Sequence, residues 1–144
     1  MRAKYFKIQE LVSRGVYEKY GERAWTFMDK NLIETLDTLR EFFNSPIYVN
    51  DWAFGGALQQ RGLRANKDPI IIGKKDYYIS AHCLGKAADI SIKGYSSQEV
   101  FRVILENSNR FPHIKRIEDI NYTPTWVHID ILDNEKNGIH IFKP

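Results

Sequence analysis

His82 and Asp89 stand seven residues apart in Ser80-Ala81-His82-Cys83-Leu84-Gly85-Lys86-Ala87-Ala88-Asp89, a stretch able to hold a cation. Near the C-terminus, Trp126-Val127-His128-Ile129-Asp130 adds a second imidazole and a second carboxylate. Donors sharing one zinc lie about 3–4 Å apart, because each bond in a tetrahedral site is about 2.0–2.2 Å long. On a straight helix, positions seven apart are separated by about 10 Å of rise. His82 and Asp89 therefore need a chain that turns between them. Gly85 permits that turn, Ala87 and Ala88 allow close packing behind it, and Asp89-Ile90-Ser91-Ile92 alternates as a half-buried strand does. In the second stretch Val127, Ile129 and Ile131 face one side of a strand, and Trp126, His128 and Asp130 face the other. His128 becomes the third ligand, and Asp130 lies behind it, orienting a ligand or a water. Three protein ligands with one open position is the pattern of a catalytic zinc site.

The order S-x-H-x-x-G-x-A-x-D followed by W-x-H-x-D resembles the M15 family of zinc peptidases, the D-alanyl-D-alanine carboxypeptidase and phage endolysin group, in its small bacterial and phage branch. Hedgehog signalling domains share that fold. The resemblance covers about fifteen residues. It implies a hedgehog/DD-peptidase-like α+β fold, with an antiparallel sheet flanked by helices around a zinc site. It implies His82, Asp89 and His128 as zinc ligands, and a bacterial peptidoglycan stem peptide as substrate. Relatives often carry an arginine after the first strand that binds a substrate carboxylate. Arg61 and Arg64 are the candidates, Arg61 first, and a guanidinium fork suits that role. Either one alone also reads as a solvated surface arginine. Ser80, just before the site, is a further candidate contact.

One position departs from the family pattern. Many relatives place a Glu or Asp three residues before the last histidine, and here that residue is Thr125. The nearest upstream carboxylates are Glu118 and Asp119, on a strand expected to pair with 126–132 through a turn near Asn121 to Pro124. Glu118 is the leading candidate base, ahead of Asp130.

At 144 residues the chain reads as one domain, 1–144, with an ordinary apolar and charged content. The formal charge of +3 fits attraction to an anionic wall, and equally many proteins without such a role. No basic run interleaved with aromatics points to nucleic acid. Neither a signal-peptide apolar stretch nor a run of about 20 apolar residues is present. The expectation is a monomer made in the cytoplasm, reaching the wall by lysis or in a phage particle. The lone Cys83 excludes an internal disulfide. It reads as a small buried residue, on the opposite side of an extended segment from His82.

Several elements must position these residues. Phe6, Ile8, Leu11 and Val12 form an early apolar cluster, and Ser13 to Tyr20 is ambiguous. Trp25, Met28, Leu32, Leu36, Leu39 and Phe43 recur at helical spacing and predict one helix from Ala24 to Asn44, with Pro46 beyond its end. Ile47-Tyr48-Val49 reads as a strand, and Asn50 to Gly56 as a turn-rich loop. Asn66 to Tyr78 reads as an irregular crossing in which Tyr77 and Tyr78 either contact substrate or pack. Ser96 and Glu99 form a capping box opening a helix. Ile114–Ile120, 126–132 and Ile139–Phe142 read as strands. His113 and His140 read as surface or structural residues.

The leading expectation is a zinc peptidase cutting a D-Ala-D-Ala or L-Ala-D-Glu bond. In it zinc activates water and Glu118 carries the proton. The alternative is a catalytically inactive zinc-binding domain serving as a peptidoglycan-binding or phage structural module. A third reading is a zinc-stabilised domain with a protein partner.

Overall fold

Side-chain caps, as well as the apolar stripe, decide where the first helices begin. The computed structural model describes residues 1–144. Ser13 Oγ accepts the Val16 N–H, and the ambiguous segment after it becomes helix α1, Arg14–Tyr20. The single helix expected from Ala24 to Asn44 is instead two pieces: 3-10 turns over Gly21–Phe27, then helix α2, Lys30–Phe43. Asp29 makes the break. Its carboxylate accepts the Asn31 N–H at 2.8 Å, and its own N–H donates to the Gly85 carbonyl at 3.0 Å. An N-cap residue takes non-helical backbone, so the helix restarts after it. The stripe survives, because Trp25, Met28, Leu32, Leu36, Leu39 and Phe43 are all buried. Lys86 Nζ also meets Asp29 at 2.6 Å, so the start of α2 is tied to the turn between His82 and Asp89.

The strands are β1 (Ile47–Tyr48), β2 (Ala87–Ile92), β3 (Arg116–Glu118), β4 (Val127–Asp130) and β5 (His140–Phe142), in the spatial order β1-β2-β4-β3-β5. The architecture is α+β, but the sheet is mixed and not antiparallel as expected. β5 runs parallel to β3. The chain reverses after β4, yet both flanks of β4 are already taken by β2 and β3. The last strand therefore lands on the free edge of β3 and shares its direction. The expected strands are all present. β2 begins two residues earlier than expected, at Ala87, and the other four are shorter, since a ladder continues only where a neighbouring strand supplies hydrogen-bond partners.

The crossing at 66–78 contains one helical turn, α3, Pro69–Ile72, whose isoleucines stay outside the core. Helix α4, Ser97–Glu106, has the expected capping box: Ser96 Oγ accepts the Glu99 N–H at 3.1 Å, and Glu99 accepts the Ser96 N–H at 2.7 Å. Val100 and Ile104 of α4 join Ile90, Ile117, Val127, Ile129 and the α2 stripe in one apolar core. That core fills one face of the sheet. The opposite face at the β2–β4–β3 centre carries the polar side chains. No helix is long and apolar enough to cross a membrane.

Candidate metal centre

Strand register assembles the site. Asp89 on β2 lies directly opposite His128 on β4, and Ala87 opposite Asp130; on the other flank Arg116 of β3 lies opposite Asp130. Directly opposed residues share a face, as do residues two apart on a strand. One row therefore holds Asp89, His128 and, two residues beyond Arg116, Glu118. The next row holds Ala87, Asp130 and Arg116. The small Ala87 leaves room for the buried carboxylate beside it.

His82 arrives from outside the sheet, on a 3-10 turn, Ala81–Leu84, where an extended segment was expected. Gly85 closes that turn with φ +67, in the left-handed region that glycine adopts without strain. The segment after β1 runs alongside. Asp89 N–H donates to the Arg61 carbonyl at 2.7 Å, and Arg64 N–H to the His82 carbonyl at 3.2 Å. Gly62 passes so close to Leu11 that an added Cβ would overlap the Leu11 carbonyl. Its own carbonyl accepts from His82 Nδ1 at 2.8 Å.

His82, Asp89 and His128 are all buried, and one donor atom from each lies within 4.8 Å of the others. His82 Nε2 is 3.2 Å from His128 Nδ1 and 3.3 Å from Asp89 Oδ1, and His128 Nδ1 is 2.9 Å from the same oxygen. The far nitrogens are occupied. His82 Nδ1 faces Gly62, and His128 Nε2 donates to Asp130 Oδ2 at 2.9 Å. Each ring thus turns its remaining nitrogen toward the other and toward a carboxylate. Three lone-pair donors brought this close repel unless a cation or a proton sits among them. The set fits a metal: two imidazoles and a carboxylate, each imidazole anchored through its other nitrogen. The same set suits other divalent transition metals, so geometry alone leaves the metal's identity open.

The charges around the cluster agree. Burial works against the Asp89 carboxylate, but hydrogen bonds from His128 and His82 outweigh it and hold Asp89 well below the usual carboxylate range. Arg64 Nη2 reaches Asp89 Oδ2 at 3.3 Å and its Nε donates to the Gln60 carbonyl at 2.7 Å. Arg64 therefore turns Oδ1 toward the histidines. Asp130 is fully buried. It accepts from His128, from Arg116 and from the Leu132 N–H. With its lone pairs so used, and no place on the cavity wall, it orients His128; it is not placed as a base.

Glu118 lines the same cavity of about 360 Å³ as His82, Asp89 and His128. Partial burial raises its pKa, and the Asp89 charge raises it further against the pull of His128. Asp119 accepts from Asn121 in the β3–β4 turn and is committed there. Thr125 lines a neighbouring cavity of about 390 Å³ with Gln59, Gln60 and Arg61. Arg61 Nη2 donates to Ser91 Oγ at 2.8 Å, while its buried Nε has no partner. Ser80 reaches the first cavity and contacts Cys83 Sγ at 3.4 Å. Cys83, half-buried where full burial was expected, faces a hollow lined by Val16, Tyr20 and Phe27. Tyr78 lines the same cavity as His82 and His128, and Tyr77 is fully exposed. His113 pairs with Glu34, and His140 sits beside Lys136.

Sequence reasoning missed Gly62 and Arg116. Arg116 was legible in principle, since it precedes Glu118 by two and so shares its face. Gly62 was not, because its role is set by a backbone approach from Leu11. No family model, curated protein or solved structure matches this chain.

Proposed function

We propose that this protein is a zinc-dependent peptidase acting on the stem peptides of bacterial peptidoglycan. The observation that carries the reading is the convergence of His82 Nε2, His128 Nδ1 and Asp89 Oδ1 in a cavity whose wall includes Glu118. The M15 resemblance and its hedgehog/DD-peptidase-like fold belong to the same proposal. A zinc ion held by these three residues supplies Lewis acidity, polarising a peptide carbonyl and acidifying water. Glu118 takes the proton from the attacking water and delivers it to the leaving nitrogen as the C–N bond breaks. Its raised pKa brings it nearer the value such a shuttle needs near neutrality. Water is the only co-reactant: its OH ends on the carbonyl carbon and its H on the amine.

Between the two cleavage types, the cavities favour a substrate continuing on both sides of the scissile bond. The cavity holding the histidines and the cavity beside it share Arg64, Asp89 and Trp126. Each has the volume of a small-ligand pocket. A strict carboxypeptidase needs only one such arm and a stop for the terminal carboxylate. The test is a synthetic stem pentapeptide containing both the L-Ala-D-Glu and the D-Ala-D-Ala bond, with its C-terminus free or amidated. Mass spectrometry should find an internal bond cut in both forms by the zinc-loaded protein. Loss of the terminal residue from the free form alone would make it a carboxypeptidase.

The second reading is an inactive zinc-binding module of the same fold, on the wall or in a phage particle. Thr125 favours it, since this position carries no acid and faces the other cavity. It predicts zinc binding with neither peptide cut.

A further inference from the structure

We propose that Arg116 is a positioning residue of the metal centre, fixing the ring of His128 through Asp130 and thereby setting metal affinity. The inference rests on the metal reading above and extends it one shell outward.

Arg116 grips Asp130 with three contacts: Nε to Oδ1 at 2.9 Å, Nε to Oδ2 at 3.1 Å and Nη2 to Oδ2 at 2.8 Å. A side-on guanidinium–carboxylate pair of this kind fixes orientation as well as distance. The two residues are direct partners across the β3–β4 ladder, so the backbone already holds them in register. The oxygen that receives most of this grip, Oδ2, is the one that accepts the His128 Nε2–H at 2.9 Å. The proton is thereby held on Nε2, and Nδ1 remains the nitrogen that faces His82 and Asp89.

The far side of Arg116 is also fixed. Its guanidinium lies 4.3 Å from the centre of the Phe142 ring, a cation–π distance. Phe142 in turn meets the His128 ring edge-on at 5.4 Å between centroids. Phe142 belongs to β5, whose parallel pairing sets it opposite Glu118. The last strand thus braces both Arg116 and His128 from behind. Removing the guanidinium would leave Asp130, fully buried, with a charge held only by His128 and one backbone N–H. The ring would then be free to tilt or to exchange its tautomer, and the site would lose its preset geometry. A surface ion pair of merely structural value would produce none of this.

The test measures zinc affinity of the full chain by competition with a chelator of known affinity, for wild type, Arg116→Met and Arg116→Lys. Outer-shell partners of metal-bound histidines are worth about 10–100-fold in affinity. Arg116→Met should weaken zinc by that factor. Arg116→Lys keeps the charge but loses the fork and should fall between the two. A nitrogen-correlated NMR spectrum of the zinc-loaded protein should show His128 carrying its proton on Nε2 in wild type. In Arg116→Met that signal should broaden or be lost. Arg116→Lys covers the case in which the Met variant does not fold. If both variants bind zinc within twofold of wild type and keep the Nε2 proton, Arg116 is an ordinary ion pair and the proposal fails. A wild-type chain that binds no zinc would overturn this inference together with the metal reading.

Discussion

His82 Nε2 and His128 Nδ1 face each other across 3.2 Å, each the nitrogen left over after its ring has anchored itself elsewhere. Without a metal, a proton on His128 fills the gap. Burial opposes that charge, but hydrogen bonds to Asp130 and Asp89 outweigh it and raise the His128 pKa from 6.5 to about 9. A group whose pKa rises on folding stabilises fully below its unfolded value and loses that contribution as pH climbs through its folded value. The metal-free protein should therefore lose about 3 kcal/mol from this group between pH 6.5 and 9. Urea unfolding with excess chelator at the two pH values checks it. Zinc affinity should rise over the same window, because the metal displaces the proton.

On the proposed reading, the site that holds zinc exists only in the folded chain, so zinc should favour folding. At a free concentration a hundred times Kd it should add about 2.7 kcal/mol, seen as a higher Tm that chelation reverses. Asp89→Asn should abolish most of that gain. It should also cost about 1–3 kcal/mol without metal, because the hydrogen bonds to His128 and Arg64 lose their charge. Thermal scans of both proteins with and without zinc measure the two effects separately.

Glu118→Gln should leave zinc affinity and Tm close to wild type, since this side chain makes no hydrogen bond or ion pair with His82, Asp89 or His128. Its effect should fall on turnover, which should drop by about 10²–10⁴-fold for loss of a proton carrier. Release of stem-peptide fragments by the zinc-loaded variant is the measurement. Wild-type activity should rise with pH through the raised Glu118 pKa, since the carboxylate is the working form.

Gly85→Ala should damage the site from a distance. The residue sits at positive φ, and an added Cβ would overlap the Phe27 carbonyl oxygen. Strain of about 1–3 kcal/mol is expected from the backbone alone. The Asp29 N–H bond to the Gly85 carbonyl would be disturbed as well. Both stability and zinc affinity should fall, whereas Gly94→Ala, with open space around it, should cost stability but leave zinc affinity unchanged.

The clustering of His82, Asp89 and His128 was legible because it depends on local devices: a glycine turn, a strand that alternates, and a second alternating strand. Asp130 behind His128 followed from the same alternation. Glu118 beside the site followed from expecting β3 and β4 to pair. What stayed hidden depends on where distant segments meet. The break at Asp29 is decided by Gly85 and Lys86, more than fifty residues away, and no periodicity within α2 reveals it. The parallel setting of β5 follows from which edges of the sheet were already occupied. The choice of Arg64 over Arg61 as the arginine touching Asp89 depends on how the chain passes Leu11, and the two read alike in sequence.

Digestion of purified peptidoglycan by the zinc-loaded protein, with and without chelator and read by mass spectrometry, tests the central claim most directly. The account predicts release of a defined stem-peptide fragment that chelation abolishes, zinc restores and Glu118→Gln suppresses. No release from several wall types by protein carrying one zinc per chain would contradict it, leaving a metal-binding domain without peptidase activity.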